Sequence, residues 1–235
     1  MFSGRTPKVH ATNRLTRALA ARAEPPLDLT LTNPTAAGLD LPGDPLAALS
    51  SPGGRHYAPE PAGLLSAREA VAGYYAARGL PADPSRVVLS ASSSEAYAWL
   101  FKLLCDPGEA VLVPAPSYPL LDALAGLESV RVARYPLDPD GGWTFHAASV
   151  GRELDRLASA GIRTGAVVLV APNNPTGSGV ARAELLALLM LARTRGFAVV
   201  SDEVFLDYRF ADAPDDVPVA AAAVSPQESS SGRAS

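Results

Sequence analysis

The chain has too few of the residues that build covalent scaffolds, metal sites or membrane spans to rely on any of them. A single cysteine, Cys105, stands among 235 residues, so no internal disulfide can form and a reducing compartment is expected. Its place in an apolar helical run reads as a buried, inert thiol. No stretch approaches the roughly 18 apolar residues of a membrane span, and the N-terminus lacks the apolar middle of a secretory signal, so a cytoplasmic location and no membrane partner are expected. Charged residues make up 19% of the chain, with a net charge of −4 and no basic stripe, which argues against a dedicated nucleic-acid surface. His56 has no partner at metal-ligand spacing, and no metal is expected. Lysine occurs only as Lys8 and Lys102. Arg5, Lys8, Arg14, Arg17 and Arg22 precede the first acid, Glu24, as in a transit peptide. A structured arm is the preferred reading, because Asn13 can cap a short helix through Ala23 that Pro25 and Pro26 stop.

What the chain does have is a set of apolar runs, each ending in a turn. Ala166 to Val170 is an unbroken aliphatic run, the pattern of a strand buried on both faces in a parallel sheet. It leads at once into Ala171-Pro172-Asn173-Asn174-Pro175-Thr176-Gly177, where two prolines fix a loop at the C-terminal edge of the sheet. Ligands bind along that edge in open α/β sheets, although the same loop in isolation reads equally as a polar connection. Leu27 to Leu31 alternates as a short extended segment, and residues 36–61 are dense in proline and glycine and read as ordered loop. Ser66 to Arg78 reads as a helix with a Ser66/Glu69 capping box, stopped by Gly79 and Pro81. Arg86 to Ser90 reads as a short strand, followed by a helix from Ser92 to Cys105. Further strands are expected at Ala110 to Val113, Val130 to Tyr135 and Phe197 to Ser201, and helices at Glu153 to Ala160 and Ala183 to Arg195. Asp138 to Gly142 makes a hairpin-like turn between them.

Two places carry chemistry. Ser92-Ser93-Ser94-Glu95 joins a strand to a helix start through small residues, and the first amides of a helix with their dipole attract an anion such as phosphate. A simple Ser92/Glu95 cap fits the same residues, and a cap and an anion site can share one helix end. Asp202 closes a buried strand, where an ionised carboxylate is costly unless a cation meets it. Its alternative is a loop or helix cap.

The Pro172 to Gly177 loop, with Ser201-Asp202-Glu203-Val204-Phe205 after it, resembles the class I/II aminotransferases, the aspartate-aminotransferase-like fold of pyridoxal-phosphate enzymes, from about Asn33 to Phe210. The resemblance implies an α/β protein with a three-layer α/β/α large domain and a mostly parallel sheet, incomplete at the C-terminus. It implies an arm and small-domain segment at 1–35, a cofactor-binding large domain at 36–212 and a disordered tail at 213–235. It implies pyridoxal 5'-phosphate as cofactor, an amino acid and a 2-oxo acid as substrates, and a homodimer. Carried over residue by residue, Ser92 and Ser93 bind the cofactor phosphate, Ser92 standing where the family usually has glycine. Tyr118 stacks on the pyridine ring, or plugs the core as a proline-framed aromatic. Asn174 bonds the ring hydroxyl oxygen, and Asp202 pairs with the protonated ring nitrogen. Tyr57 reaches the phosphate of the other subunit, or packs on its own domain. Phe205 stands where many relatives carry tyrosine. The family also needs a lysine that holds the cofactor and moves the α-proton. Neither Lys8 nor Lys102 follows Asp202, so the chain is expected to be a truncated or frame-altered form without that lysine. A carbon–sulfur lyase-type relative and a non-catalytic cofactor-binding or interaction fragment are the other readings.

Overall fold

The apolar runs form strands in the computed structural model, which describes residues 3–6, 12, 14–24, 26–27, 33–39, 43–44, 46–80 and 82–208. Contacts divide these residues into two units, one within Pro7–Pro61 and the other made of the rest. In the first, helix α1 spans Arg14–Ala20 and buries none of its residues. It ends three residues short of the expected Ala23, and Asn13, its expected cap, lies outside the described residues. Asn33 makes an Asx turn, its Oδ1 accepting from the Thr35 amide at 3.1 Å. Short 3₁₀ turns at Ala47–Ser50 and Pro52–Arg55 occupy the proline-rich stretch. Most of Leu27 to Leu31, Lys8 and the tail expected at 213–235 lie outside the described residues.

The second unit opens with helix α2, Leu65–Ala76. The expected Ser66/Glu69 capping box does not form: Leu64 is the N-cap, with no side-chain hydrogen bond, and Ser66 falls inside the first turn. Arg68 holds this end instead, donating to the carbonyls of Gly63 at 2.9 Å and Pro84 at 3.0 Å. Gly79 at φ 73° lies just past the helix, in a conformation that costs glycine nothing. The strand expected at Arg86 to Ser90 is not part of the sheet. Pro84–Arg86 is a 3₁₀ turn capped by Asp83, and the following residues are extended, with the Leu89 amide donating to the Ala62 carbonyl at 2.9 Å. Extended backbone becomes a strand only beside a partner strand, and none pairs with this segment among the described residues.

From here the chain alternates helix and strand. Helix α3 is Ser93–Leu104, β1 Ala110–Ala115, α4 Leu121–Leu127, β2 Arg131–Pro136 and α5 Ala147–Ser159. Then come β3 at Thr164–Val170, α6 at Arg182–Arg195 and β4 at Ala198–Asp202. The four strands are all parallel, in the order β2-β1-β3-β4. Side chains alternate across the sheet as the pleat requires. Leu112, Val167 and Leu169 face α5 and α6, while Val111, Val113, Val168 and Val170 face α3 and α4. This is a three-layer α/β/α arrangement with both sheet faces covered, as strands without polar alternation demand. Leu185 and Leu188 of α6 are fully buried, and each such side chain stabilises the packing by about 1.5–3 kcal/mol.

Two boundaries depend on distant partners. Helix α5 starts six residues before the expected Glu153, because the Glu184 carboxylate of α6 accepts the Ala147 amide at 2.6 Å and closes the helix end. Helix α4 was not expected; it is only seven residues long and is held by burial of Leu121 and Ala125. Cys105 caps α3 from a buried position, and burial pushes its thiol up, away from the reactive thiolate.

Candidate functional site

Strand order fixes where a site can lie. Beyond β1 the chain turns toward β2 through α4, and beyond β3 it turns toward β4 through α6, on the opposite face of the sheet. The loops leaving β1 and β3 therefore diverge, and a crevice opens outside the carboxyl ends of these strands. The gap extends into the sheet. Pro114 has no amide to donate, and pairing of β1 with β3 runs only from Ala110 to Leu112. Past that point the Tyr135 phenol enters from β2 and donates to the Val168 carbonyl at 2.7 Å.

The two loops at the crevice are the ones that carry Tyr118 and Asn174. They are stitched together by Asn173, which is buried and donates from Nδ2 to the Pro116 carbonyl at 3.2 Å and to Thr176 Oγ1 at 2.8 Å. The cis peptide bonds Ala115–Pro116, Ala171–Pro172 and Asn174–Pro175 lie in the same loops. Tyr118 is half-buried and packs against the apolar cluster of α3, α4 and the sheet. Asn174 is half-buried in the second loop. Two buried side-chain atoms, Ser117 Oγ and Asn173 Oδ1, lack hydrogen-bond partners among the described residues, one in each loop. Buried polar atoms are almost always satisfied, so a polar ligand or water belongs in this crevice.

The helix start forms the Ser92/Glu95 cap that the sequence indicates. Ser92 is the N-cap, its Oγ accepting from the Glu95 amide at 3.2 Å, while Glu95 Oε2 accepts from the Ala91 amide at 2.7 Å. Ser92 has φ −163°, extended backbone open to any residue, so this position needs no glycine for its conformation. The amides of Ser93 and Ser94 have no acceptors within the helix, which leaves their end able to bind an anion.

Asp202, at the end of β4, is held on both oxygens. Tyr97 donates its hydroxyl to Oδ2 at 2.8 Å, and the Val204 amide donates to Oδ1 at 3.1 Å. Tyr97 is 4% exposed, its ring tilted against Phe101. Burial above all, then the charge of Asp202 and the hydrogen bond to it, push the phenol far above its ordinary range, so it remains a donor. Ser93, Tyr97 and Asp202 line one pocket of about 340 Å³, together with Tyr75, Ser201 and Glu203. The helix end at Ser93 and the carboxylate thus open into the same space.

Other sequence-derived residues lie elsewhere. Lys102 pairs with Glu128 at 2.7 Å and lines a pocket with Asp106, Glu109 and Arg163 at the amino ends of the strands, the opposite edge from Asp202. Tyr57 belongs to the Pro7–Pro61 unit and is 95% exposed. Among the described residues no group of three or more His, Cys, Asp and Glu side chains is gathered for a metal ion, and no helix is long and apolar enough to cross a membrane. Tyr97 was missed by sequence reading. The signal was its place four residues after Ser93, on the same face of the helix.

The fold and the crevice define a doubly wound α/β protein with an open helix start and a half-buried acid at the carboxyl edge of the sheet. The chain belongs to the class I and II aminotransferases, whose family model matches residues 25–229. It is 30% identical over 192 residues to tyrosine aminotransferase of Mus musculus, covering 79% of this chain and 40% of that protein. It is 36% identical over 162 residues to 1-aminocyclopropane-1-carboxylate synthase 3 of Oryza sativa, covering 67% of this chain and 36% of that protein. Among solved structures, alanine aminotransferase from Pyrococcus furiosus superposes with a TM-score of 0.58 at 28% identity, covering 65% of this chain and 38% of that one. The chain thus spans well under half the length of these relatives.

Proposed function

We propose that this chain is the cofactor-binding part of a pyridoxal-phosphate-dependent aminotransferase, which moves an amino group between an amino acid and a 2-oxo acid. One observation carries the reading: the open helix end at Ser93 and the carboxylate of Asp202 line one 340 Å³ pocket, giving an anion site and an acid to a ligand that has a phosphate at one end and a basic ring nitrogen at the other. The unpartnered Ser117 Oγ and Asn173 Oδ1 in the crevice fit a polar ligand there as well.

When bound, pyridoxal phosphate supplies an electron sink for negative charge that forms on the substrate α-carbon. The residues divide the remaining work. Ser92 and Ser93 hold the phosphate through amides at the start of α3, Ser93 also through its hydroxyl. Asp202 keeps the ring nitrogen protonated. Asn174 bonds the ring hydroxyl oxygen, and Tyr118 covers the ring face. Phe205 offers no hydroxyl to that oxygen, so Asn174 bears the contact. Tyr57, exposed on its loop, serves the phosphate of a second copy in a homodimer. With one cysteine and an acidic charge balance, the reading places the protein in the cytoplasm.

A second reading has an observation of its own. Lys102, the one lysine among the described residues, is ion-paired at the far edge of the sheet. That favours a chain that binds the cofactor without turning over substrate. The test is to incubate the chain with pyridoxal phosphate, follow its absorbance, reduce with borohydride and locate any label by mass spectrometry. Saturable binding that is weakened in Asp202→Asn supports the cofactor reading. No binding by the unmodified chain refutes it, and reversible binding with no label favours the second reading.

A further inference from the structure

We propose that Tyr97 is a positioning residue for Asp202, its buried phenol holding the carboxylate in place for the ring nitrogen of the cofactor. The inference rests on the cofactor reading above and adds a residue to it. A carboxylate at a strand end turns freely about its side-chain torsions unless its oxygens are held. Here each oxygen accepts one hydrogen bond, Oδ2 from Tyr97 at 2.8 Å and Oδ1 from the Val204 amide at 3.1 Å. Each keeps a further lone pair for a ligand. The Val204 contact comes from the neighbouring backbone, whereas Tyr97 lies 105 residues away and ties Asp202 to another element.

That element is α3. Tyr97 stands four residues after Ser93, so the two side chains lie one above the other on one helix face, and both line the pocket. The helix is closely packed there. Tyr97 is 4% exposed, rests on Phe101 with ring centroids 5.6 Å apart, and shares its apolar cluster with Val113, Val168 and Val170. Helix α3 therefore spaces the phosphate end of the site from the ring-nitrogen end, with Ser93 marking one and Tyr97 the other. Because burial raises the phenol far above its ordinary range, it stays protonated and able to donate to the carboxylate.

The test compares two ligands that cannot label lysines, having no aldehyde: pyridoxamine 5'-phosphate and its 1-deaza analogue, in which a C–H replaces the ring nitrogen. Dissociation constants are measured by fluorescence titration on the full chain and on Tyr97→Phe, Asp202→Asn and the double variant. Tyr97→Phe is expected to weaken pyridoxamine phosphate roughly ten-fold, the scale of one hydrogen bond to a charged group, and to leave the analogue unchanged. In the Asp202→Asn background it is expected to change neither ligand. Equal losses for both ligands, or no loss for either, would overturn the inference and leave the cofactor reading standing. If the unmodified chain binds neither ligand, the cofactor reading fails and this inference with it. Should Tyr97→Phe not fold by circular dichroism, Phe101→Leu removes the ring beneath the phenol and must reduce the preference for the nitrogen-bearing ring; an unchanged preference would overturn the inference.

Discussion

Replacing Tyr135 by Phe tests the account of how the sheet opens at the crevice. Tyr135 and Val168 are both fully buried, and the phenol gives the Val168 carbonyl a donor where β1 no longer pairs with β3. The substitution keeps the ring and its edge-on contact with Phe145, at 5.5 Å between centroids, and removes one oxygen. No ring burial is lost, so the cost is that of a buried carbonyl left without a donor, about 1–3 kcal/mol. Urea unfolding at neutral pH should show this as a lower midpoint with an unchanged slope. Thermal unfolding should show Tm falling by roughly 4–8 °C for a 2 kcal/mol loss in a domain of this size. The phenol is pushed far above its ordinary range by burial, so the difference should not vary across neutral pH. A loss below about 0.5 kcal/mol would show that the carbonyl finds another donor, and that the Tyr135 bond does not close the gap left by Pro114.

Two further changes probe other parts of the structure. Gly165→Ala in β3 would drive a Cβ into the Leu104 carbonyl oxygen and the Cys105 sulfur, and backbone cannot swing aside as a side-chain tip can. A loss of about 1–3 kcal/mol in urea unfolding is expected, and a neutral result would mean that the close approach of α3 to β3 is wrong. Asp207 accepts hydrogen bonds from Arg78 and Tyr74, and these hold its carboxyl below the ordinary value of 3.8. A depressed native pKa adds stability above the unfolded value and loses it as pH falls through the native one. Tm of the parent chain should therefore fall more steeply than that of Asp207→Asn below about pH 4, and parallel curves would refute the pairing.

The candidate site was legible where one short segment carries its own chemistry. The proline-bounded Asn173-Asn174 loop, the serine-rich helix start and the acid closing an apolar strand are local patterns, and the Ser92/Glu95 box forms because it needs only neighbouring residues. The Ser66/Glu69 pattern looks the same in sequence and fails, since Arg68 reaches Gly63 and Pro84 and the helix starts one residue earlier. Arg86 to Ser90 has the composition of a strand and lacks a partner to pair with.

Sequence by itself determined the buried strands β1 and β3, the place of β4, which is half-buried where a buried strand was expected, and the helices α3 and α6, because solvent exclusion selects uninterrupted aliphatic runs and helical apolar faces wherever they occur. It also determined the family, through the paired loops at the carboxyl edge. Tertiary structure alone decided the start of α5, set by the carboxylate of Glu184 from another helix, and the Tyr135 bond that spans a gap between strands. It also decided the grip of Tyr97 on Asp202. The reason is one of range: a hydrophobic period or a cap acts within a few residues, whereas a hydrogen bond across 105 residues exists only after the sheet has brought its two ends together.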